Sequence, residues 1–152
     1  MSISRAIIAD STCLIGLSRI GQLDLIQKLF QRITIAQAVW DEVVVNGLGR
    51  PGSQEVAQAD WIDVQKPIDR LAVEALRLSL GPGESESMVL AKEISAQLII
   101  LDDSKARLAA QQLGLTVAGT AALIYRAEEL QLIASASALI QQLQAVGFRL
   151  KL

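Results

Sequence analysis

The sequence predicts an α/β fold, a sandwich of helices around a mainly parallel sheet. Three observations carry the prediction. Short apolar runs alternate along the chain with stretches of helical period, which is the pattern of successive βα units. Two of those runs, Ala6-Ile7-Ile8-Ala9-Asp10 and Leu98-Ile99-Ile100-Leu101-Asp102-Asp103, end in acid. Half of the residues (51%) are hydrophobic and only 3% are aromatic, so Leu, Ile, Val and Ala must fill the core. A chain of 152 residues fits one domain over residues 1–152.

Taken in order, the elements read as follows. Residues 6–9 form a buried strand with Asp10 at its carboxyl end. Thr12 to Ile20 has apolar residues at Leu14, Ile15, Leu17 and Ile20 and is helical until Gly21 breaks it. Leu23 to Phe30 repeats that period, and Ile33-Thr34-Ile35 is a β-branched strand. Ala36 to about Val45 is a helix striped by Val39, Trp40, Val43 and Val44, with Glu42 beside the stripe. Asn46 to Gly52 is a loop whose single charge is Arg50. A short helix over Ser53 to Ala59, a strand over Trp61 to Val64 and a helix over Ile68 to Leu78 come next. Gly81-Pro82-Gly83 turns into a helix reaching about Ser95, with Glu84 and Glu86 at its start. After the second acidic strand, Ser104 to Leu113 is a helix closed by Gly114. Leu115 to Val117 is a last short strand, and helices follow from Thr120 to about Gln131 and from Ser135 to Val146.

Composition removes whole classes of chemistry. Histidine is absent, so Ser-His-Asp triads and His metal ligands are excluded. Cys13 is the single cysteine, which excludes an internal disulfide and a thiolate zinc site. It lies on an apolar helix face and reads as core. A net charge of −2 argues against a broad basic surface for duplex DNA. No run approaches a membrane span, and the N-terminus lacks a signal-peptide core. A soluble, cytoplasmic protein is expected.

Carboxylates remain. Each acid alone has an ordinary use: Asp10, Asp102 and Asp103 as helix caps, Glu84 and Glu86 as first-turn partners of a helix dipole, Glu42 as solvated surface. Together they imply more. If strand ends and a helix start converge, four or more carboxylates share one pocket, and like charges at that range raise one another's pKa values. A hard divalent cation is the natural counter-charge, and Mg²⁺ takes oxygen ligands and substrate phosphate. Ser11 and Thr12, beside Asp10, either orient its carboxylate or a bound water or cap the following helix. Lys105 and Arg107 follow the second acidic strand and either face the rim or decorate a helix surface.

The ordered set Ile7 to Ile15, Val39-Trp40-Asp41-Glu42-Val43, Gly83-Glu84-Ser85-Glu86-Ser87 and Leu98 to Asp103 resembles the PIN domain. Within that family it looks most like the VapC-like toxin branch with a Gly-Glu-x-Glu helix start. The resemblance runs from about residue 6 to residue 133. It implies a three-layer α/β/α sandwich and a Mg²⁺- or Mn²⁺-dependent endoribonuclease. It carries the family's acids onto Asp10, Glu42, one of Glu84 and Glu86, and Asp102, with Ser11 as the hydroxyl after the first acid. Spacing back from Asp102 favours Glu84; the phase of Met88, Val89 and Leu90 keeps Glu86 open. Members carry a further acid two residues after the fourth-strand Asp. Ser104 stands there, so Asp103 is the remaining candidate for a second ion. The resemblance further implies RNA as substrate, single-stranded or looped, a small antitoxin partner and a homodimer. An antitoxin would set an Arg or Lys among the acids and take apolar anchorage on the early helices from Leu14 to Phe30.

Three competing readings are weighed. A haloacid-dehalogenase-like phosphatase needs a second Asp two residues after the first, where Thr12 stands. A response-regulator receiver needs its acid pair after the first strand. A PIN fold with little catalysis, used as a binding module, differs from the nuclease only in whether the acids hold a metal.

Overall fold

A computed structural model describes residues 6–150. Residues 1–5 and 151–152, the ends of the expected domain, lie outside the described residues. Five strands form one sheet in the order β3-β2-β1-β4-β5, every pair parallel. They are β1 (Ile7–Ala9), β2 (Ile33–Ala36), β3 (Ile62–Gln65), β4 (Leu98–Ile100) and β5 (Val117–Ala118). The first strand lies in the middle, with Ile8 in register with Thr34 on one side and with Ile99 on the other. Ile7 to Ala9 and Ile99 to Leu101 are buried, as expected for parallel strands covered on both faces.

Among the described residues, nine helices connect or follow the strands: α1 (Ser11–Arg19), α2 (Asp24–Phe30), α3 (Gln37–Trp40), α4 (Ser53–Gln58), α5 (Arg70–Arg77), α6 (Pro82–Glu93), α7 (Ser104–Gln112), α8 (Thr120–Glu129) and α9 (Ala136–Ala145). Helix α6 lies on β1, β2 and β4 and packs with α3 and α5; α1 packs with α9, and α8 with α2 and α9. This is the expected three-layer α/β/α sandwich.

The element order is the one read from the sequence, with three local differences. The helix expected from Ala36 to Val45 is α-helical only to Trp40 and continues as a π-helical turn over Asp41–Val45. The wider turn is closed by Asn46 N–H donating to the Asp41 carbonyl at 2.7 Å. Val43, Val44 and Val45 stand in succession there, and β-branched side chains crowd an α-helical turn. Helix α6 already begins at Pro82, a residue preorganised for the first helical position. The last strand starts at Val117 instead of Leu115, because Leu115 is used by the end of α7. Its N–H donates to the Ala110 carbonyl and that of Gly114 to the Gln111 carbonyl, a Schellman closure with Gly114 at φ 80°.

The topology places a crevice at one edge of the sheet. From β1 the chain moves outward through β2 and β3, then crosses to the other side of β1 to lay down β4 and β5. The order reverses between β1 and β4, and in open α/β sheets the crevice beyond the carboxyl ends at such a switch is the binding position. Asp10 follows β1 and Asp102 follows β4.

Candidate metal centre

Asp10 is the first residue after β1 and the N-cap of α1, yet its side chain makes no capping hydrogen bond. It is 5% exposed, and its Oδ1 is a buried oxygen without a hydrogen-bond partner among the described residues. Burial, reinforced by the charges of Glu84, Glu42 and Asp102 and opposed by a backbone hydrogen bond from Ser11, pushes its carboxyl up from 3.8 to about 7. A carboxylate both desolvated and unpaired is costly unless something else is meant to meet it.

Glu42 arrives on the π-helical turn, a backbone feature that concentrates at functional sites. Its Oε2 accepts a 2.6 Å hydrogen bond from Ser11 Oγ. Ser11 therefore steadies Glu42, where the sequence suggested that it steadies Asp10. Gly83, at the start of α6, is what lets these acids meet. A Cβ there would stand 2.9 Å from Glu42 Oε1, 3.3 Å from Asp10 Oδ1 and 3.3 Å from Val39 Cγ2. Glu84 follows, half-buried, its Oε1 accepting the Gly81 N–H at 3.2 Å. Its carboxyl is raised, first by burial, then by Asp103 and Glu42, while the Gly81 N–H and Lys105 oppose the rise. Asp10, Ser11, Thr12, Glu42, Gly81, Gly83 and Glu84 line one open cleft of about 330 Å³.

Asp102 stands on the adjoining strand end and is 8% exposed. Thr120, the first residue of α8, holds both of its oxygens: its N–H donates to Oδ1 at 2.8 Å and its Oγ1 to Oδ2 at 2.6 Å. An oxygen accepting one such bond keeps a second lone pair for another ligand. Asp103 is exposed and takes its ordinary use, accepting the Ala106 N–H at 2.9 Å as the cap of α7. Lys105 is exposed, and its charge weakly opposes the rise of the Glu84 carboxyl.

Glu86 departs from the expected cluster. Its Oε1 accepts the Ala38 N–H at 2.9 Å and its Oε2 pairs with Arg70 Nη1 at 2.7 Å. Successive α-helical residues are turned by about 100°, so two residues apart on α6 the side chains of Glu84 and Glu86 diverge. Glu84 opens on the cleft, and Glu86 ties α6 to the first turn of α3 and to α5. Cys13 is buried beside Thr120, Asp102 and Asp10, and burial pushes its thiol up to about 12, which makes it core and no nucleophile. Thr120 and Arg70 are not singled out by the sequence. The only local signal for Thr120 is its place at a helix start just after a strand.

Among the described residues no three acids are already gathered tightly enough to hold one ion as they stand. The donor set nonetheless fits a hard cation: all oxygen, an unpartnered buried Oδ1 at its centre, and a glycine keeping the space beside it free.

A parallel sheet ordered 3-2-1-4-5, with carboxylates at its switch point, defines a doubly wound α/β protein with an acidic crevice at its strand ends. A family model described as DUF3368, PIN domain, matches residues 6–152, and the chain belongs to that family. PIN domains are generally nucleases and typically depend on divalent metal ions. The assignment sets aside the phosphatase and receiver readings. Among solved structures the chain is similar to a PilT N-terminus domain protein from the hyperthermophilic archaeon Sulfolobus solfataricus P2, with 16% identity, a TM-score of 0.53, and coverage of 78% of this chain and 89% of that one. This likeness is one of fold. Among curated proteins none matches the chain. No helix among the described residues is long and apolar enough to cross a membrane.

Proposed function

We propose that this PIN domain is a Mg²⁺- or Mn²⁺-dependent endoribonuclease, the toxin of a toxin–antitoxin pair in the VapC-like manner, acting in the cytoplasm. The observation that carries the reading is the convergence of Asp10, Glu42 and Glu84 around a buried, unpartnered Oδ1 at the switch point of the sheet. Asp10, Glu84 and Asp102 would hold the ion, with Glu42 beside them and Asp103 at the outer edge as the candidate for a second. Bound there, the ion supplies Lewis-acid activation of water and charge stabilisation at the scissile phosphate. The chain's own residues do the rest. Ser11 fixes Glu42 and Thr120 fixes Asp102, and Asp10 would have to give up its proton to serve as a ligand. Glu86 supports the site from behind through α3 and α5.

An antitoxin would silence such a cleft with an Arg or Lys placed among the acids. Apolar anchorage on the early helices is narrower than the sequence suggested: Leu14, Leu17, Leu25 and Ile26 are buried, leaving Ile15, Ile20, Leu29 and Phe30 partly exposed. A homodimer belongs to the same reading. The test is cleavage of end-labelled single-stranded RNA in Mg²⁺ or Mn²⁺, with chelated metal and Asp10→Asn as controls. Metal-dependent cleavage lost in both controls supports the nuclease. A folded protein that cuts nothing with either ion leaves the alternative, a PIN fold that only binds.

A further inference from the structure

Beside the acid cleft lies a groove of about 730 Å³. It is lined by Thr12, Asp102 and Asp103, by Arg19 at the end of α1, and by Phe148 and Arg149 after α9. Thr12 lines both the groove and the acid cleft, so the two meet at the rim. We propose that this groove carries the single-stranded nucleic acid away from the acid cleft, with Arg19 and Arg149 contacting phosphates beyond the one that is cut. The proposal rests on the nuclease reading and adds to it the path of the substrate.

Charge is the first argument. The chain is net acidic and the cleft is acidic, so a polyanion needs cations elsewhere. Arg19 and Arg149 are both exposed, and among the described residues neither forms an ion pair. Arg19 makes one long hydrogen bond, 3.4 Å, to the Val146 carbonyl, which leaves most of its donors for a ligand. Eight residues of helix set Arg19 about 12 Å from Ser11 at 1.5 Å per residue, beyond a single phosphate bound at the acids.

Shape is the second. Ile15 and Phe148 give the groove an apolar floor. The Phe148 ring is seated against Gly16, where any Cβ would collide with its edge. A half-buried ring fixed in this way is a stacking surface for an unpaired base. Two arginines and one ring match a single strand, whose bases are free to stack; a duplex would need a broader basic face.

The test uses the full chain and a fluorescein-labelled single-stranded RNA. Arg19→Ala with Arg149→Ala, both exposed sites, should fold as wild type by circular dichroism and melting temperature. The double variant should raise KM for the RNA at least tenfold with kcat within about twofold. The slope of log K against log salt should become shallower by about 1.4, at about 0.7 for each single-stranded phosphate contact. Arg19→Lys with Arg149→Lys should restore most of the slope, and duplex RNA should not compete. An unchanged KM and salt slope in the alanine variant would overturn the path. Wild-type turnover of bis(p-nitrophenyl) phosphate, which needs only the acid cleft, separates the two readings. If this small ester is hydrolysed but single-stranded RNA is not bound, the groove fails alone. If neither is turned over, the nuclease reading fails and the groove with it.

Discussion

Replacing Asp10 by Asn is the most informative single change, because the structure gives its size. Burial and three neighbouring acids raise the Asp10 carboxyl from 3.8 to about 7. At about 1.4 kcal/mol per pH unit, keeping this group ionised at pH 8 costs the metal-free fold about 4 kcal/mol. The sign follows from linkage. Between pH 4 and 7 the folded protein binds a proton that the unfolded chain has lost, so this contribution is full below 3.8 and gone once pH passes about 7. Asn has nearly the same shape and never ionises. In chelator, Asp10→Asn should therefore gain on wild type steadily as pH rises, by about 4 kcal/mol between pH 4 and pH 8. For a domain of this size that is on the order of 10 °C in melting temperature. Saturating Mn²⁺ at pH 8 should stabilise wild type and leave the variant almost unmoved, because a ligand stabilises the state that binds it. Urea titrations of both proteins at the two pH values in chelator, and at pH 8 with Mn²⁺, measure the pH-dependent difference and both Mn²⁺ shifts. A stability difference independent of pH, or equal Mn²⁺ shifts in both proteins, would refute the reasoning.

Four further substitutions separate the roles of the neighbouring residues. Gly83→Ala gains up to about 1 kcal/mol of helix propensity but sets a methyl 2.9 Å from Glu42 Oε1. Thermal melting should change little, while RNA cleavage in Mn²⁺ falls on the order of a hundredfold. Glu86→Gln breaks the pair with Arg70 at a carboxylate whose side chain is 9% exposed. Denaturant titration should show a loss of about 1–2 kcal/mol, discounted because Arg70 is half in water, with Mn²⁺ affinity retained. Glu84→Gln should do the reverse, weakening Mn²⁺ in a calorimetric titration while leaving the metal-free fold at least as stable. Thr120→Val removes the hydroxyl from Asp102 Oδ2, and the expected cost is about 1–3 kcal/mol of stability and about 10–100-fold in Mn²⁺ affinity.

Much of the frame was legible because it rests on local signals. Ile7-Ile8-Ala9 and Leu98-Ile99-Ile100-Leu101 are apolar runs stopped by acid, and in a parallel sheet that stop lies at or just past the carboxyl end of a strand. The choice between Glu84 and Glu86 was not legible. Apolar period reports a helix face only when the other face is wet, and α6 buries Gly83 and every residue from Ser85 to Ala91. The clamp of Thr120 on Asp102 joins residues brought together by β5 and the start of α8, a tertiary fact whose local trace is no more than a helix start after a strand. The π-helical turn that carries Glu42 had only the run of three valines to announce it. Arg19 and Arg149 meet along one groove because Phe148 seats on Gly16, and a glycine within a helical period gives no hint of what covers it.

The order of the sheet also sets a schedule for the molecule's birth. The central strand cannot acquire its β4 neighbour until about ninety more residues have been made, since Ile8 pairs with Ile99. Contacts this distant in sequence close late and slowly, and chains fold as they leave the ribosome from the N-terminal side. A growing chain thus presents Asp10 and Glu42 long before Asp102, and Asp102 gains its clamp only when Thr120 has emerged. Until then the rim is half a site. Under the proposed nuclease reading, a growing chain would not cut RNA before residue 120 has emerged.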